Sequence, residues 1–209
     1  MTLETEDLWR QIPHYLTAEP ERKILIKNLQ ELSEGATKGY YIPQNSDPYL
    51  GEVLQGDGWR GFQVFSFTSG HRRRICGIVL SNSCDISIKN QRIQLPKVTF
   101  APIVRLDRLE EIFVGHGLSS QQIISRIQAI RSQSITSMFY LPADGPLENE
   151  HVALLDDIHS VPVMTLREGT EKLFTLSMAG FYLFVFKLSV HFCRLQENIE
   201  RRQNTSKAR

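Results

Sequence analysis

The sequence predicts a mixed α+β fold: a small β-barrel core with N-terminal helices, an inserted helical segment and a long C-terminal helix. Apolar runs bounded by turn residues, at 62–67, 75–81 and 98–104, predict strands. Apolar residues at three- and four-residue spacing, at 119–131 and 177–202, predict helices. With 209 residues, 41% of them hydrophobic, the chain is long enough to bury a core without disulfides.

The first 38 residues are predicted to form N-terminal helices. A short helix over 3–16 is disturbed by Pro13, and a second helix runs over 20–32. The second has its apolar residues on one stripe, at Ile24, Leu25, Leu29 and Leu32. We therefore expect this stripe to be buried against the rest of the protein.

The predicted barrel core spans residues 50–176. The nearly continuous apolar run at 75–81 indicates a central strand that is covered on both faces. Pro102 has no N–H to donate, so it places the 98–104 strand at an edge or a bulge. Further extended segments are predicted at 136–141, 151–155 and 160–164.

Helices interrupt and then end this core. The insertion at about 106–132 contains two helices, and Ser119 with Gln122 forms a capping box at the start of the second. A helix over 177–203 is predicted to pack on the core, and 204–209 is predicted to be a disordered tail.

Composition points to a cytoplasmic protein without a membrane partner. Three widely spaced cysteines without a CxxC pair favour a reducing compartment, and the acidic N-terminus does not resemble a signal peptide. The most apolar stretch, 179–193, is too short to span a bilayer. Charge is uneven, with eight Lys/Arg against three Asp/Glu in 51–105 and the reverse, three against eight, in 106–160. A basic region of this kind can dock on the acidic one or on a phosphate backbone.

The basic run Arg72-Arg73-Arg74 is the strongest candidate for nucleic-acid contact, with Arg105 as a further candidate. Guanidinium groups suit bidentate contact with phosphate and stack on bases. Three adjacent side chains cannot share one face of a strand. The alternatives are a solvated hairpin end or ion pairs with Asp156 and Asp157.

The segment Ser81-Asn82-Ser83-Cys84-Asp85 follows the predicted central strand. Cys84 would be a nucleophile if His71, His151 or His191 approached it, but the adjacent carboxylate disfavours a thiolate. We therefore favour a structural loop, in which Asn82 and Asp85 bond backbone amides and Cys84 packs as a small apolar residue.

No cofactor and no metal are predicted. The glycines at 56 and 58 do not form a nucleotide-binding pattern. Acidic and histidine residues are frequent over 148–159, but alternate strand residues point to opposite faces and the ligand spacing of a metal site is not met.

Three motifs occur in an order that resembles the PemK/MazF-type toxin domain, a barrel of SH3-like character. They are Leu54-Gln55-Gly56-Asp57-Gly58-Trp59, then Arg72–Arg74 leading into Ile78-Val79-Leu80-Ser81-Asn82, then Val98-Thr99-Phe100-Ala101-Pro102-Ile103. The segment 81–86 also resembles the S-x-S-C-D step of uncharacterised bacterial proteins with an enlarged form of the same barrel. The resemblance implies a role beside a toxin–antitoxin or phage-defence system, and a homodimer.

The predicted function is a non-catalytic binding module that contacts a protein partner, RNA or DNA. The alternative is an RNA-cleaving, toxin-like endoribonuclease that uses Arg73 or Arg74 with Ser81 or Ser83. The resemblance implies a Ser or Thr just after the third motif, where this chain has Ile103-Val104-Arg105. The missing hydroxyl favours the binding module.

Overall fold

A computed structural model describes residues 27–28, 31–32, 38–66, 69–87, 95–167 and 169–193. Most of the predicted N-terminal helices, the C-terminal helix beyond Cys193 and the 204–209 tail lie outside the described residues. The division into domains therefore stays a prediction.

Seven antiparallel strands form one sheet in the described part of the chain, and the mixed α+β class is confirmed. The strands are β1 (Gly58–Phe65), β2 (Arg72–Val79), β3 (Lys97–Arg105), β4 (Met138–Leu141), β5 (His151–Leu154), β6 (His159–Pro162) and β7 (Glu171–Phe174). They are ordered β4-β5-β3-β2-β1-β7, and β6 also pairs with β3. Because no pairing joins β4 to β7, the sheet is not closed and the predicted barrel is not confirmed.

Strand β3 is central, and Pro102 does not place it at the edge. Its first half pairs with β6 up to Phe100, and its second half pairs with β5 from Ile103 onward. Strands β5 and β6 thus run in one direction along the same side of β3, with a break between them. Pro102 lies at that break, where a missing N–H removes no bond to β5 or β6.

Four α-helices accompany the sheet in the described residues: α1 (Ser83–Ile86), α2 (Leu106–Gly115), α3 (Ser120–Arg131) and α4 (Met178–Cys193). The predicted capping box is confirmed, because the Ser119 hydroxyl accepts from Gln122 N and the Gln122 side chain accepts from Ser119 N. Helices α2 and α3 pack on the outer side of β4 and β5 through an apolar cluster that contains Phe113, Ile127 and Tyr140.

Replacing Ser119 with alanine is expected to lower the free energy of unfolding by about 1 kcal/mol, because the cap of α3 is lost. Urea unfolding would measure the change. Ser125→Ala, at an exposed position inside the same helix, is the control and should be neutral or slightly stabilising. Equal losses in both variants would contradict the capping role.

Helix α4 packs on one face of the open sheet. Its residues Ala179, Leu183 and Phe184 are buried in a cluster with residues of β2, β3, β4, β5 and β7. Between the two free edges runs the segment 40–42. Tyr41 forms a β-bridge with Leu176, just after β7, and its hydroxyl donates to the carbonyl of Pro142, just after β4, at 3.0 Å. Helix α4 and the segment 40–42 therefore lie between β4 and β7, the two strands that do not pair with each other.

The free edge of β4 is blocked by a side chain. The amide of Gln133 donates to Tyr140 O at 3.0 Å and accepts from Tyr140 N at 3.1 Å, as a neighbouring strand would. Gln133 has a left-handed backbone (φ 58°), which is rare outside glycine. This arrangement protects an edge that could otherwise pair with another chain.

Among the residues that the structure describes, no helix is long and apolar enough to cross a bilayer.

Candidate nucleic-acid interface

The three adjacent arginines form the start of β2, and all three are exposed. Strand alternation places Arg72 and Arg74 on the same face as Cys76 and Ile78, which is the face covered further along by α4. Arg73 lies on the opposite face, directly across from Val64, which is buried in a second cluster. The sequence prediction that the three cannot share a face is confirmed.

Strand β1 extends this arginine-bearing face. Its residues Arg60, Gln63 and Phe65 pair with Cys76, Arg74 and Arg72, and directly opposed residues of an antiparallel pair share a face. The side chain of Phe65 is a large exposed apolar group, with 49% of its surface accessible. An exposed aromatic ring beside arginines offers a stacking surface for a planar group.

Strand β3 contributes a fourth arginine. Ile103 pairs with Cys76, so Arg105, two residues further along β3, lies on the same face. We call the set Arg60, Arg72, Arg74 and Arg105 the basic face. It spans three neighbouring strands, which are about 4.8 Å apart, so the set covers roughly 10 Å across the sheet.

Part of this charge is compensated. Arg60 lies 3.2 Å from Glu171, and Arg105 Nε donates to Asp107 Oδ1 at 3.0 Å. The hydrogen bond from Arg105 lowers the pKa of Asp107, with a smaller contribution from its neighbour Arg108. Arg74 donates to the carbonyl of Gly169 at 3.3 Å, and no described carboxylate forms an ion pair with it.

Arg72 and Arg73 form no ion pair within the described ranges. The predicted alternative, pairing of the arginine run with Asp156 and Asp157, does not occur there, and Asp157 instead lies 3.1 Å from His159. Counting only the residues that the structure describes, the basic face is exposed and two of its four arginines, Arg72 and Arg74, have no acidic partner.

The structure does not bring the arginines together with Ser81 or Ser83. Arg73 and Arg74 begin β2, whereas both serines follow its end, seven to ten residues later. At about 3.3 Å per strand residue, Arg74 is about 16 Å from Val79, the last residue of β2, and both serines lie beyond that end. The arginine–serine pair that an endoribonuclease would need is therefore not assembled.

The loop after β2 is held by its own side chains. Asn82 accepts from Cys84 N at 2.9 Å, Ser81 accepts from Thr99 N at 2.8 Å, and Ser83 accepts from Gln55 N at 2.9 Å. The two serine hydroxyls thereby fix the loop to β3 and to the segment before β1.

Cys84 is exposed, so it does not pack as a small apolar core residue, and Asp85 is exposed beside it. The reason is the short helix α1, which turns Ile86 inward and these two side chains outward. His71 and His151 lie at the opposite ends of β2 and β3, so neither is close to the thiol.

The acidic and histidine residues over 148–159 are used in separate contacts. Glu150 accepts two hydrogen bonds from Arg131, at 2.8 and 2.7 Å, and one from the hydroxyl of Tyr140. These bonds, with Arg131 first, lower the pKa of Glu150 despite its burial. No group of three His, Cys, Asp or Glu residues is placed to bind a metal in the part of the chain that the structure describes.

A buried ion pair joins β7, the edge strand, to the residue that precedes β1. Lys172 Nζ lies 2.8 Å from Asp57 Oδ2, and the two side chains are 5% and 1% exposed. The ammonium also donates to Tyr49 O at 2.7 Å and to the hydroxyl of Thr175 at 3.3 Å. This contact locks β7 onto β1, and β7 in turn carries the Glu171 that contacts Arg60.

Sequence reasoning missed two parts of this region, Arg60 and the Asp57–Lys172 pair. Asp57 accepts a local hydrogen bond from Leu54 N at 2.8 Å. Lys172, which forms the ion pair with Asp57, lies 115 positions further along the chain, so no local sequence pattern indicates the pair. Arg60 could have been found only from the β1–β2 register, which includes an irregularity between Arg60 and Phe62.

No protein-family model matches this chain, and no curated protein matches it either, so the PemK/MazF resemblance rests on the short sequence motifs alone.

Proposed function

We propose that this protein is a non-catalytic module that binds the phosphate backbone of a nucleic acid through the basic face. The observation that carries the proposal is the placement of four arginines on one face of three adjacent strands, with the exposed Phe65 opposite Arg72 at the end of β1. Arginine contacts to phosphate supply most of the affinity of sequence-independent binding.

The chemistry of the face favours phosphate over an acidic protein surface. Guanidinium forks match the geometry of phosphate oxygens, and an exposed aromatic ring beside them adds stacking on bases. An acidic peptide would use the charges but would gain little from Phe65. RNA and DNA share the phosphate chemistry, so the test includes both.

The proposal is non-catalytic because the candidate hydroxyl groups lie far from the arginines. The nearest hydroxyls that the sequence offered for chemistry, Ser81 and Ser83, bond backbone amides at the far end of β2. Arginine alone is a poor proton acceptor at neutral pH. A role beside a toxin–antitoxin or phage-defence system remains an expectation of the resemblance.

The test is binding of the full chain to labelled RNA and DNA across a salt series. Wild-type affinity is expected to fall steeply as salt rises. The Arg72→Ala/Arg74→Ala variant should bind at least about tenfold more weakly, with a salt slope reduced by about two, one for each lost phosphate contact.

The charge-matched control is Arg108→Ala/Arg126→Ala, which removes two exposed arginines from α2 and α3. It should keep the wild-type salt slope.

Absence of binding at low salt, or an equal loss of affinity in both variants, would reject the proposal and direct the search to a protein partner. RNA cleavage by the wild type that is lost in Arg73→Ala/Arg74→Ala would favour the endoribonuclease instead.

A further inference from the structure

Half of the β1–β2 hairpin pairs with no other strand of the described sheet. Strand β7 pairs with β1 as far as Arg60, and β3 pairs with β2 from Cys76 onward. Among the described strands, residues 62–65 and 72–75 therefore pair only with each other. We call these eight residues the ribbon. It is two strands wide and, at about 3.3 Å per residue, about 13 Å long.

The two faces of the ribbon have different environments. On the back, Phe62 and Val64 are buried in a cluster that includes two residues of the 3-10 helix Val163–Arg167. On the front, every side chain is exposed: Gln63, Phe65, Arg72 and Arg74. The ribbon contains three arginines and no acidic residue. It is therefore supported from behind and presents a positively charged front.

The dimensions of the ribbon match the major groove of B-DNA. That groove is about 12 Å wide and admits a two-stranded β-ribbon. The two strands of the ribbon are about 4.8 Å apart, which leaves room for side chains on either side. Arg72 and Arg74 are two strand residues apart, or about 6.6 Å, which is close to two base-pair steps of about 3.4 Å. Side chains of the front can therefore reach the edges of successive base pairs.

The front carries the side-chain types that distinguish base pairs in the major groove. Arginine bonds the O6 and N7 atoms of guanine, glutamine bonds the N6 and N7 atoms of adenine, and phenylalanine contacts the methyl group of thymine. Gln63 lies directly across from Arg74, and Phe65 lies directly across from Arg72. The bond from Arg74 to Gly169 O uses one of five N–H groups, so the guanidinium keeps enough donors for a bidentate contact. The front thus offers two guanine contacts, one adenine contact and one thymine contact.

We propose that the ribbon enters the major groove of duplex DNA with its front toward the bases and recognises a short sequence that contains guanine and adenine. This inference rests on the proposed function, because it places the nucleic acid on the basic face, and it adds the duplex form and base-specific contact. Single strands are disfavoured, because a single-strand site stacks successive bases on several rings and Phe65 is the one exposed ring of the ribbon. The major groove of duplex RNA is deep and narrow, so side chains cannot read it.

The first test selects binding sites for the full chain from a randomised duplex DNA library. The selected sites should share guanine and adenine within two or three base pairs of each other. Gln63→Ala should lose the preference for adenine and bind a selected site at least about fivefold more weakly, because it removes one base contact. Its salt slope should equal that of the wild type, because no charge is removed. Gln128→Ala, at an exposed position of α3, is the matched control and should leave affinity and preference unchanged.

The second test needs no variant, so it holds even if Gln63→Ala alters the fold. Replacing guanine with 7-deazaguanine in a selected site removes the N7 acceptor from the major groove and should weaken wild-type binding at least about fivefold. Three results would each overturn the inference and leave phosphate binding by the basic face intact: equal affinity for all duplex sequences, tighter binding to single-stranded RNA than to duplex DNA, or a selected site that is insensitive to both changes. Absence of binding to every nucleic acid would reject both the inference and the proposed function.

Discussion

Replacing Lys172 with methionine is expected to destabilise the fold by about 3–5 kcal/mol, a large share of the total stability of a domain of this size. The substitution removes the ammonium from a site where it lies 2.8 Å from Asp57 and also satisfies the carbonyl of Tyr49. It leaves the buried carboxylate of Asp57 without its countercharge. Chemical denaturation of the variant and the wild type would measure the difference.

The double variant Asp57→Asn/Lys172→Met separates two contributions to the free energy of unfolding: the cost of leaving Asp57 charged without a partner, and the net stabilisation that the ion pair provides. Removing both charges should restore part of the loss, because a neutral side chain at position 57 is cheaper to bury than an isolated carboxylate. If the double variant were as unstable as the sum of the two single variants, the pair would have no coupling and the explanation would fail.

The same pair gives the stability a defined pH dependence. Burial raises the pKa of Asp57 to about 6, although Lys172 opposes the change. A carboxyl group whose pKa is raised on folding stabilises the fold most when it is protonated, and this contribution is lost as the pH rises through about 6. Without Lys172 the pKa of Asp57 should rise further. We therefore expect the cost of Lys172→Met to be smaller near pH 5 than near pH 8, as measured against the wild type.

Local signals predicted the local structure well. The capping box at Ser119 and Gln122 involves residues three positions apart, so its chemistry is complete within one turn of the sequence. The apolar run that predicted a central strand forms β2, which pairs on both sides. These predictions succeed because the faces of a helix or strand that are buried determine which neighbouring residues are apolar.

The parts that sequence reasoning missed depend on long-range pairing. Strand β7 was not predicted, because the short segment Glu171–Phe174 becomes a strand through its contact with β1, more than 100 residues earlier. The composition of the basic face has the same origin. Arg72–Arg74 and Arg105 were visible as basic residues, but only the strand register shows that Arg73 faces away and that Arg60 belongs with the others.

Closure of the barrel could not be predicted from strand patterns either. The sequence contains enough strands for a barrel, yet the space between β4 and β7 is taken by α4 and the segment 40–42. A helix that is apolar on most sides can bury the apolar face of a sheet without pairing with its edges, and its sequence pattern does not say where it packs.

Substituting Gly180 with alanine tests how tightly α4 is docked in that position. A Cβ atom there would lie 2.4 Å from the backbone oxygen of Tyr40, which is held by its own hydrogen bond to Ser177 N at 2.9 Å. Backbone cannot move aside as a flexible side chain can, so Gly180→Ala should destabilise the fold by about 1–3 kcal/mol. Helix propensity alone predicts the opposite sign, a gain of up to about 1 kcal/mol.

The matched control is Gly115→Ala at the end of α2, where a Cβ atom meets nothing within 4 Å. This variant should be neutral or stabilising by up to about 1 kcal/mol. Thermal and urea unfolding should therefore separate the two variants by about 1–4 kcal/mol, with Gly180→Ala the less stable. If Gly180→Ala were as stable as Gly115→Ala, α4 would not lie against the segment 40–42. The helix could then not be what completes the open sheet.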